Sequence, residues 1–402
     1  MALALILSHP SEKDDYSKVD LYELYCDKVA LRPKSGKNFI FTKPTKSDLA
    51  LKPAFVDLDW QSELFPEVHC KTKVISSYHN YEETPDLEKQ LAQMQKRPAD
   101  FYKLATHANS SLDALRMIRF RRKHSNVIGI CMGEKGFLTR VTAPICGQHH
   151  TYASTDNNSL GIPKLEELLT TYNYRKLSRK TKLFALIGNP LHLSPSHITH
   201  NQTFREKKWD ALYVKVPINK EELPAFIPYM DLFAGFSVTH PLKEAIIPYL
   251  KNIDQEAKEI GAVNTVINGC GFNSDGKGAW NAIGNLSGKR VAILGRGGAA
   301  RAAAYEAKKR GYEPKFYHRT TNLAPYDILI NATPLGMKGE LALPRDKILE
   351  GTTVLDMVIG ETLLLKAARQ KKCRVIYGIE MFQKQASHQL SLLISPFCDQ
   401  VF

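Results

Sequence analysis

Lys103 stands inside the apolar run Asp100-Phe101-Tyr102-Lys103-Leu104-Ala105, and His79 ends the preceding run at Ser76-Ser77-Tyr78-His79. A lysine desolvated within a strand has its pKa depressed, which frees an amine for a Schiff base. Adjacent strands of a barrel would bring the His79 imidazole near it. The pattern alone fits equally a lysine snorkelling at a strand edge. A second lysine, Lys243, closely follows the apolar strand in Phe236-Ser237-Val238-Thr239-His240-Pro241-Leu242, where a surface position is the plainer alternative. Asp275 precedes Gly276 and also suits an Asx-turn, while Asn264 lies in the buried-looking Gly261–Thr265. Ser194 and Ser196 flank Pro195 just before a predicted helix. Two hydroxyls at a helix N-terminus can donate to a carboxylate; plain capping explains one serine but not both.

The segment Gly295-Arg296-Gly297-Gly298-Ala299-Ala300 follows the apolar strand Val291–Leu294 and opens an Ala-rich helix through Lys309. That strand–turn–helix context identifies a dinucleotide turn rather than a bare tight turn. Gly295 permits the turn, Gly297 admits a pyrophosphate, the small Ala300 allows close helix–strand packing, and the helix N-terminus stabilises the anion. The next strand, Pro314–Tyr317, ends in His318-Arg319-Thr320. An NAD site would favour a carboxylate there, whereas Arg319 suits the 2′-phosphate of NADP; a surface arginine is the alternative. The strand Asp327–Asn331 runs into Ala332-Thr333-Pro334-Leu335-Gly336, a turn placed to face the nicotinamide.

These groups need elements to position them. Eight strands are predicted before residue 172: Ala2–Ser8, Leu21–Asp27, Asn38–Lys43, Ala54–Trp60, Lys73–His79, Asp100–Ala105, Asn126–Met132 and Thr151–Ser154. Amphipathic helices are predicted over Pro85–Lys96 and Ser111–Lys123, and the short early gaps leave only trimmed helices there. Eight such units predict a (β/α)8 barrel, whose active site forms at the C-terminal ends of its strands. The basic stretch 172–182 reads as a linker. A second α/β region begins at Leu183–Gly188 and a third at Arg290–Leu294.

Composition narrows the class. The 402 residues are 43% apolar and 24% charged, enough for several globular cores. No apolar run approaches the roughly 20 residues that cross a bilayer, and the opening Met-Ala-Leu-Ala-Leu-Ile-Leu reads as a buried strand rather than a signal peptide. The 7 cysteines are dispersed without a C-x-x-C pair, which predicts a reducing cytoplasm and neither a disulfide framework nor a metal site. A net charge of +14 raises nucleic-acid binding, but no basic-aromatic stripe supports it. Arg119–Lys123 comes nearest and reads as the solvated end of a helix.

Residues 183–396 resemble shikimate dehydrogenase. The resemblance is carried by Gly188-Asn189-Pro190, Ser194-x-Ser196, His200-Asn201, Val238-Thr239-x-Pro241-x-Lys243, Gly261–Thr265, Asn273-x-Asp275-Gly276, the glycine turn, His318-Arg319-Thr320 and Gly378…Met381…Gln385-Ala386, all in family order. It implies that Lys243 and Asp275 form a catalytic dyad, that Ser194 and Ser196 hold the substrate carboxylate, and that Thr239, Asn264 and Gln385 bind ring hydroxyls. It also implies NADP held by Gly295, Gly297, Gly298, Ala299, His318, Arg319, Thr320, Thr333 and Gly378. A positioned ammonium suits this chemistry, since hydride addition to a ketone creates an alkoxide to be stabilised and protonated. Ser237 stands where the family often has asparagine, and Ile359 where it has a tyrosine near the substrate.

Residues 1–172 resemble a type I 3-dehydroquinate dehydratase, an eight-stranded barrel, through the His79 and Lys103 segments and Gly136-Phe137-Leu138-Thr139-Arg140. The resemblance implies that Lys103 forms the Schiff base, that His79 removes the α-proton and assists loss of the hydroxyl, that Arg140 pairs with the substrate carboxylate, and that Glu23 and Lys43 belong to the binding shell. Several positions depart from the family. Tyr25 replaces the arginine of a Glu-x-Arg segment, Lys43 replaces another arginine, a Glu-Gly-Gly segment is missing, and Ile162 replaces a glutamine of the loop after the eighth strand.

The resemblances together imply an α/β chain with a barrel over 1–172, a linker over 173–182, a shikimate-binding domain over 183–285 completed by 380–402, and a Rossmann domain over 286–379. The implied function is dehydration of 3-dehydroquinate to 3-dehydroshikimate followed by NADPH-dependent reduction to shikimate. The expected partners are those small molecules, with no nucleic acid, membrane or metal; the sequence leaves oligomeric state open. The alternative is a shikimate dehydrogenase alone, its barrel impaired.

Overall fold

The structure, a computed structural model, describes residues 2–7, 19–29, 38–155, 161–286, 290–318 and 323–394. Contacts divide the chain into two compact units: 1–183 with 201–216 and 228–232, and 184–200 with 217–227 and 233–402.

The first unit contains β1 (Ala2–Leu7), β2 (Leu21–Tyr25), β3 (Phe39–Thr42), β4 (Phe55–Asp59), β5 (Lys73–Asn80), β6 (Phe101–His107), β7 (Val127–Met132) and β8 (His150–Ala153). They form one sheet in the order β7-β6-β5-β4-β3-β2-β1-β8, with every pair parallel. All eight predicted strands are present, displaced by at most two residues at an end. Alternation sorts their side chains. Tyr102, Leu104, Val127 and Cys131 pack outward against Leu87, Leu91 and Met94 of the helix Leu87–Met94 and against Met117 and Phe120 of the helix Ser111–Lys123. Each such buried leucine contributes about 2 kcal/mol. Ala4, Leu21, Ile40, Phe55, Ile75, Ile128, Ile130 and Tyr152 fill the inside. The early helices are trimmed as expected: a single turn, Lys46–Leu49, follows β3 and a 3₁₀ turn, Phe65–Glu67, follows β4.

Among the described residues β7 and β8 share no backbone ladder. Gln148 closes the gap with its side chain, accepting from Gly129 N at 3.1 Å and donating to the His150 carbonyl at 2.6 Å. Arg121 braces it, donating to Gln148 Oε1 and the Thr139 carbonyl at 2.7 Å, and to the Gly129 carbonyl and Thr142 Oγ1 at 3.1 Å. This corrects the reading of Arg119–Lys123 as a solvated run: Arg121 is 1% exposed. Four neutral acceptors, rather than a carboxylate, make its burial tolerable. Of the stretch read as a linker, Tyr174 is buried in a short 3₁₀ turn, Tyr174–Lys176.

Two further sheets follow. The first comprises β9 (Lys182–Gly188), β10 (Ala211–Pro217), β11 (Gly235–Val238), β12 (Asn252–Ile253), β13 (Thr265–Ile267) and β14 (Cys270–Phe272) in the order β10-β9-β11-β13-β14-β12. The second comprises β15 (Arg290–Leu294), β16 (Glu313–Tyr317), β17 (Ile328–Asn331), β18 (Thr353–Asp356) and β19 (Arg374–Ile376). Its strands are all parallel in the order β16-β15-β17-β18-β19. The chain leaves β15 for β16 on one side and returns to β17 on the other, so a crevice for a ligand opens beyond the ends of β15 and β17. No helix among the described residues is long and apolar enough to cross a membrane, and none of them group into a metal-ligating cluster.

Candidate active sites

Polar side chains from β2, β4 and β6 meet inside the barrel. Lys103, 3% exposed, points inward from β6, and its Nζ lies 2.7 Å from Asp57 Oδ2 on β4 and 3.5 Å from Glu23 Oε1 on β2. Thr42 donates to Glu23 at 3.0 Å. Burial alone would lower the Lys103 pKa, but Asp57, Tyr152 and Glu23 outweigh it and hold the ammonium well above the ordinary lysine range. The expected free amine is thereby corrected: the resting nitrogen is a paired cation that must pass its proton on before attacking a carbonyl. Burial pushes the Glu23 carboxyl up despite Lys103, making it a group that can carry a proton.

His79 lies one inward-facing step beyond Ser77, the β5 residue opposite Lys103. Burial, and then Lys103, pull its imidazole from 6.5 down to about 4, with Asp57 and Asp59 opposing. It is therefore neutral, the form a general base requires. Tyr81 stacks on it with centroids 6.1 Å apart. Arg140 is buried, donates from Nη1 to the Cys131 carbonyl at 2.8 Å and the Gly161 carbonyl at 3.3 Å, and is lowered to about 10 by burial. Its Nε has no partner among the described residues, so a donor remains for an anion. Lys43 is exposed and pairs with Asp27 at 3.3 Å, yet its charge still reaches His79. Asp57 was missed in the sequence, although alternation in Phe55-Val56-Asp57-Leu58-Asp59 sets it on the inward face with Phe55.

The second site is a cleft of about 530 Å³ wholly within the second compact unit. Lys243 Nζ lies 2.5 Å from Asp275 Oδ2, and Asn264 Nδ2 donates to Asp275 Oδ1 at 2.9 Å. Asn273 Oδ1 accepts from the Asp275 amide at 3.0 Å and fixes the backbone at the start of the helix Asp275–Ile283. Gln385 donates to Ser274 Oγ at 3.0 Å, and Gln389 donates to Thr265 Oγ1 at 2.8 Å and to the Asn264 carbonyl at 3.0 Å. Gln389, absent from the sequence reading, thus ties the helix Gly378–Leu393 to the residue that holds Asp275. Ser194 and Ser196 hydroxyls lie 2.8 Å apart at the start of the helix Ser196–Glu206. Ser194, Ser196, Thr239, Lys243, Asn264, Asp275 and Gln385 all line the cleft, as does Ile359.

The same cleft is lined by Gly295, Gly297, Gly298, Ala299, Thr333 and Gly378, together with Arg296, which the sequence reading passed over. Gly295 has φ +97, and a Cβ there would meet Thr333 Cγ2 at 2.9 Å. At Gly297 a Cβ would meet nothing within 4 Å: the turn opens onto free space at the N-terminus of the helix Gly298–Lys309. That cradle fits a pyrophosphate. His318 is described and exposed; Arg319 and Thr320 lie outside the described residues.

Two family models match the chain: type I 3-dehydroquinase over residues 45–179, and the shikimate dehydrogenase substrate binding domain over residues 186–266. The bifunctional 3-dehydroquinate dehydratase/shikimate dehydrogenase of Arabidopsis thaliana is 32% identical over 84% of this chain and 66% of its own length. Among solved structures, shikimate dehydrogenase from Aquifex aeolicus superposes with a TM-score of 0.51 at 31% identity, covering 54% of this chain and 94% of its own. The Thermus thermophilus shikimate 5-dehydrogenase in complex with NADP(H) and shikimate gives 0.50 at 28% identity, over 53% of this chain and 94% of its own. Shikimate biosynthesis protein AroDE of Chlamydia muridarum is 32% identical over 90% of this chain and 82% of its own length, and the chain belongs to that family, which joins a type I 3-dehydroquinase to a shikimate dehydrogenase.

Proposed function

We propose that the chain catalyses two consecutive steps: dehydration of 3-dehydroquinate to 3-dehydroshikimate in the barrel, and NADPH-dependent reduction of that product to shikimate in the second unit. The observation that carries this reading is the presence in one chain of two lysine–carboxylate pairs, Lys103–Asp57 inside a barrel and Lys243–Asp275 beside a dinucleotide turn. The domains follow as 1–172 for the barrel, 173–182 for the linker, 183–285 completed by 380–402 for the shikimate-binding domain, and 286–379 for the NADP-binding domain.

In the barrel, Lys103 gives its proton to a neighbouring carboxylate and its amine adds to the ketone. Loss of water leaves a cationic imine, which acidifies the adjacent carbon. His79, neutral in the resting site, removes that proton and returns it to the departing hydroxyl. Arg140 receives the substrate carboxylate; Glu23 and Lys43 complete the binding shell. In the second site, Ser194 and Ser196 take the carboxylate, and Thr239, Asn264 and Gln385 orient ring hydroxyls. Bound NADPH supplies the hydride. Lys243, held by Asp275, stabilises the oxygen as it becomes an alkoxide and stands placed to protonate it. The glycine turn, Thr333 and Gly378 hold the nucleotide, and His318, Arg319 and Thr320 its adenosine phosphate. Among the described residues Cys70, Cys131, Cys146, Cys270 and Cys373 are not bridged by disulfides, which suits a reducing cytoplasmic compartment.

The test is purified protein with 3-dehydroquinate and no nucleotide, followed by ultraviolet absorbance of the conjugated enone. Enone that forms, then disappears when NADPH is added, is the expected result. No enone, with normal reduction of supplied 3-dehydroshikimate, would leave a reductase carrying a silent barrel.

A further inference from the structure

Beneath Lys103 the barrel holds a column of polar rings that the dehydration chemistry does not use. His150 and Tyr152 both face inward from β8, opposite Ala2 and Ala4 of β1, whose small side chains leave room for them. Tyr152 is 3% exposed and His150 0%. The Tyr152 hydroxyl lies 3.0 Å from His150 Nε2, and His150 Nδ1 lies 3.0 Å from His149 Nδ1. His149 packs in turn on Phe101 and Phe55, with centroids 4.6 Å and 5.5 Å apart. Gln148 fixes the His150 carbonyl. Burial lowers the pKa of both imidazoles, so the column is neutral and every bond in it joins a neutral donor to a neutral acceptor. At its upper end, Lys103 Nζ stands over the face of the Tyr152 ring, 4.8 Å from the centroid.

An apolar side chain at His150 would fill this interior without burying polar atoms, so the column calls for a use. The chemistry at Lys103 supplies one. The amine forms a carbon–nitrogen bond to the ketone carbon, the carbonyl oxygen leaves as water, and the positive charge stays on nitrogen. An ammonium has three N–H donors, enough for Asp57 and Glu23 together. The protonated imine has one, so it cannot keep both carboxylates as hydrogen-bond partners. Attraction to the face of an aromatic ring needs no N–H and survives the change.

We propose that His150, acting through Tyr152, is a positioning residue for the Lys103 imine: its hydrogen bond to the phenol keeps the ring face beneath the nitrogen while ammonium becomes iminium. This rests on the dehydratase reading of the barrel. It assigns to His149, His150 and Tyr152 a part in the reaction although none of them exchanges a proton with substrate.

The experiment compares the full-length protein with its Tyr152→Leu, Tyr152→Phe, His150→Leu and His150→Gln variants. It measures kcat and KM for dehydration of 3-dehydroquinate, mass of the borohydride-trapped adduct, and near-ultraviolet circular dichroism as a check of packing. Tyr152→Leu and His150→Leu are expected to lower kcat about 10-fold with KM little changed, and to reduce the trapped adduct in step. Tyr152→Phe keeps the ring face and loses less. His150→Gln, which can still bond the hydroxyl, recovers most of the rate lost in His150→Leu. Wild-type kcat in Tyr152→Leu, or a folded His150→Gln as slow as His150→Leu, overturns the assignment. A wild-type protein that yields neither enone nor adduct overturns the dehydratase reading itself.

Discussion

Asp275 divides its carboxylate between two residues, binding Lys243 at 2.5 Å with one oxygen and Asn264 at 2.9 Å with the other. The second bond sets the angle of the first. Asn264 is itself fixed by the Ser274 amide, which donates to its Oδ1 at 3.1 Å. The ammonium is thus aimed by a chain of contacts that runs back into the sheet.

Removing the ammonium should therefore cost chemistry and spare binding. Lys243→Ala is expected to lower turnover of 3-dehydroshikimate by about 10²–10⁴-fold, the range for loss of a positioned acid. NADPH affinity, read by fluorescence titration, should stay near the wild-type value, because Lys243 meets the glycine turn at Gly298 through its aliphatic stem and alanine keeps the Cβ of that contact. Turnover equal to wild type would remove Lys243 from the mechanism.

The Lys103 pair predicts a different pattern. Lys103→Ala should abolish both enone formation and the borohydride-trapped adduct; an adduct that persists would place the imine on another lysine. Asp57→Asn should leave a buried ammonium with Glu23 as its remaining carboxylate partner. Breaking a buried pair from one side costs about 3 kcal/mol, and the measure is the midpoint of barrel unfolding in urea. A variant with unchanged stability would mean that Asp57 does not carry the charge the geometry gives it.

The limits of the sequence can be read at the same residue. Apolar runs place Lys103 within a strand and find all eight strands, because both depend on local pattern. What they miss is the partner. Asp57 lies 46 residues earlier in the chain, and its contact with Lys103 exists only once β4 and β6 flank β5. Its absence reverses the sign of the expected pKa shift, from burial lowering it to carboxylates raising it. Arg121 shows the same limit: a basic run looks solvated until the gap between β7 and β8 supplies acceptors for one of its members. The cleft of the second unit was more legible, since its residues come from contiguous motifs at strand ends.

His79 predicts the acid side of the pH profile. A base works in its neutral form, and a pKa lowered from 6.5 to about 4 leaves His79 neutral at every pH above that value. The log of kcat/KM for dehydration should then fall through about pH 4, rather than near 6.5. The stability linkage has the same direction: with the folded value below the unfolded one, protonation favours unfolding. The contribution is complete above 6.5 and is lost as pH falls through about 4. His79→Ala should lower kcat by about 10²–10⁴-fold and erase this limb. A wild-type limb centred near 6.5 would show that the imidazole is solvated and the burial argument mistaken.

Gln148 makes the last prediction, and it concerns stability rather than chemistry. Its amide is the bridge between β7 and β8, and Arg121 is satisfied partly through it. Gln148→Ala would leave the Gly129 amide, the His150 carbonyl and one Arg121 donor without that partner, all of them buried. Each buried group so orphaned costs about 1–3 kcal/mol unless water enters, so a loss of roughly 3 kcal/mol is expected for the barrel. Gln148→Glu keeps an acceptor for Gly129 and pairs with Arg121, but cannot donate to His150. It should fall between wild type and alanine. Urea unfolding followed by enone activity reports on the barrel, and followed by shikimate oxidation reports on the second unit. The barrel transition should move and the other should stay. If both transitions hold still in Gln148→Ala, the gap between β7 and β8 is closed by something other than this side chain.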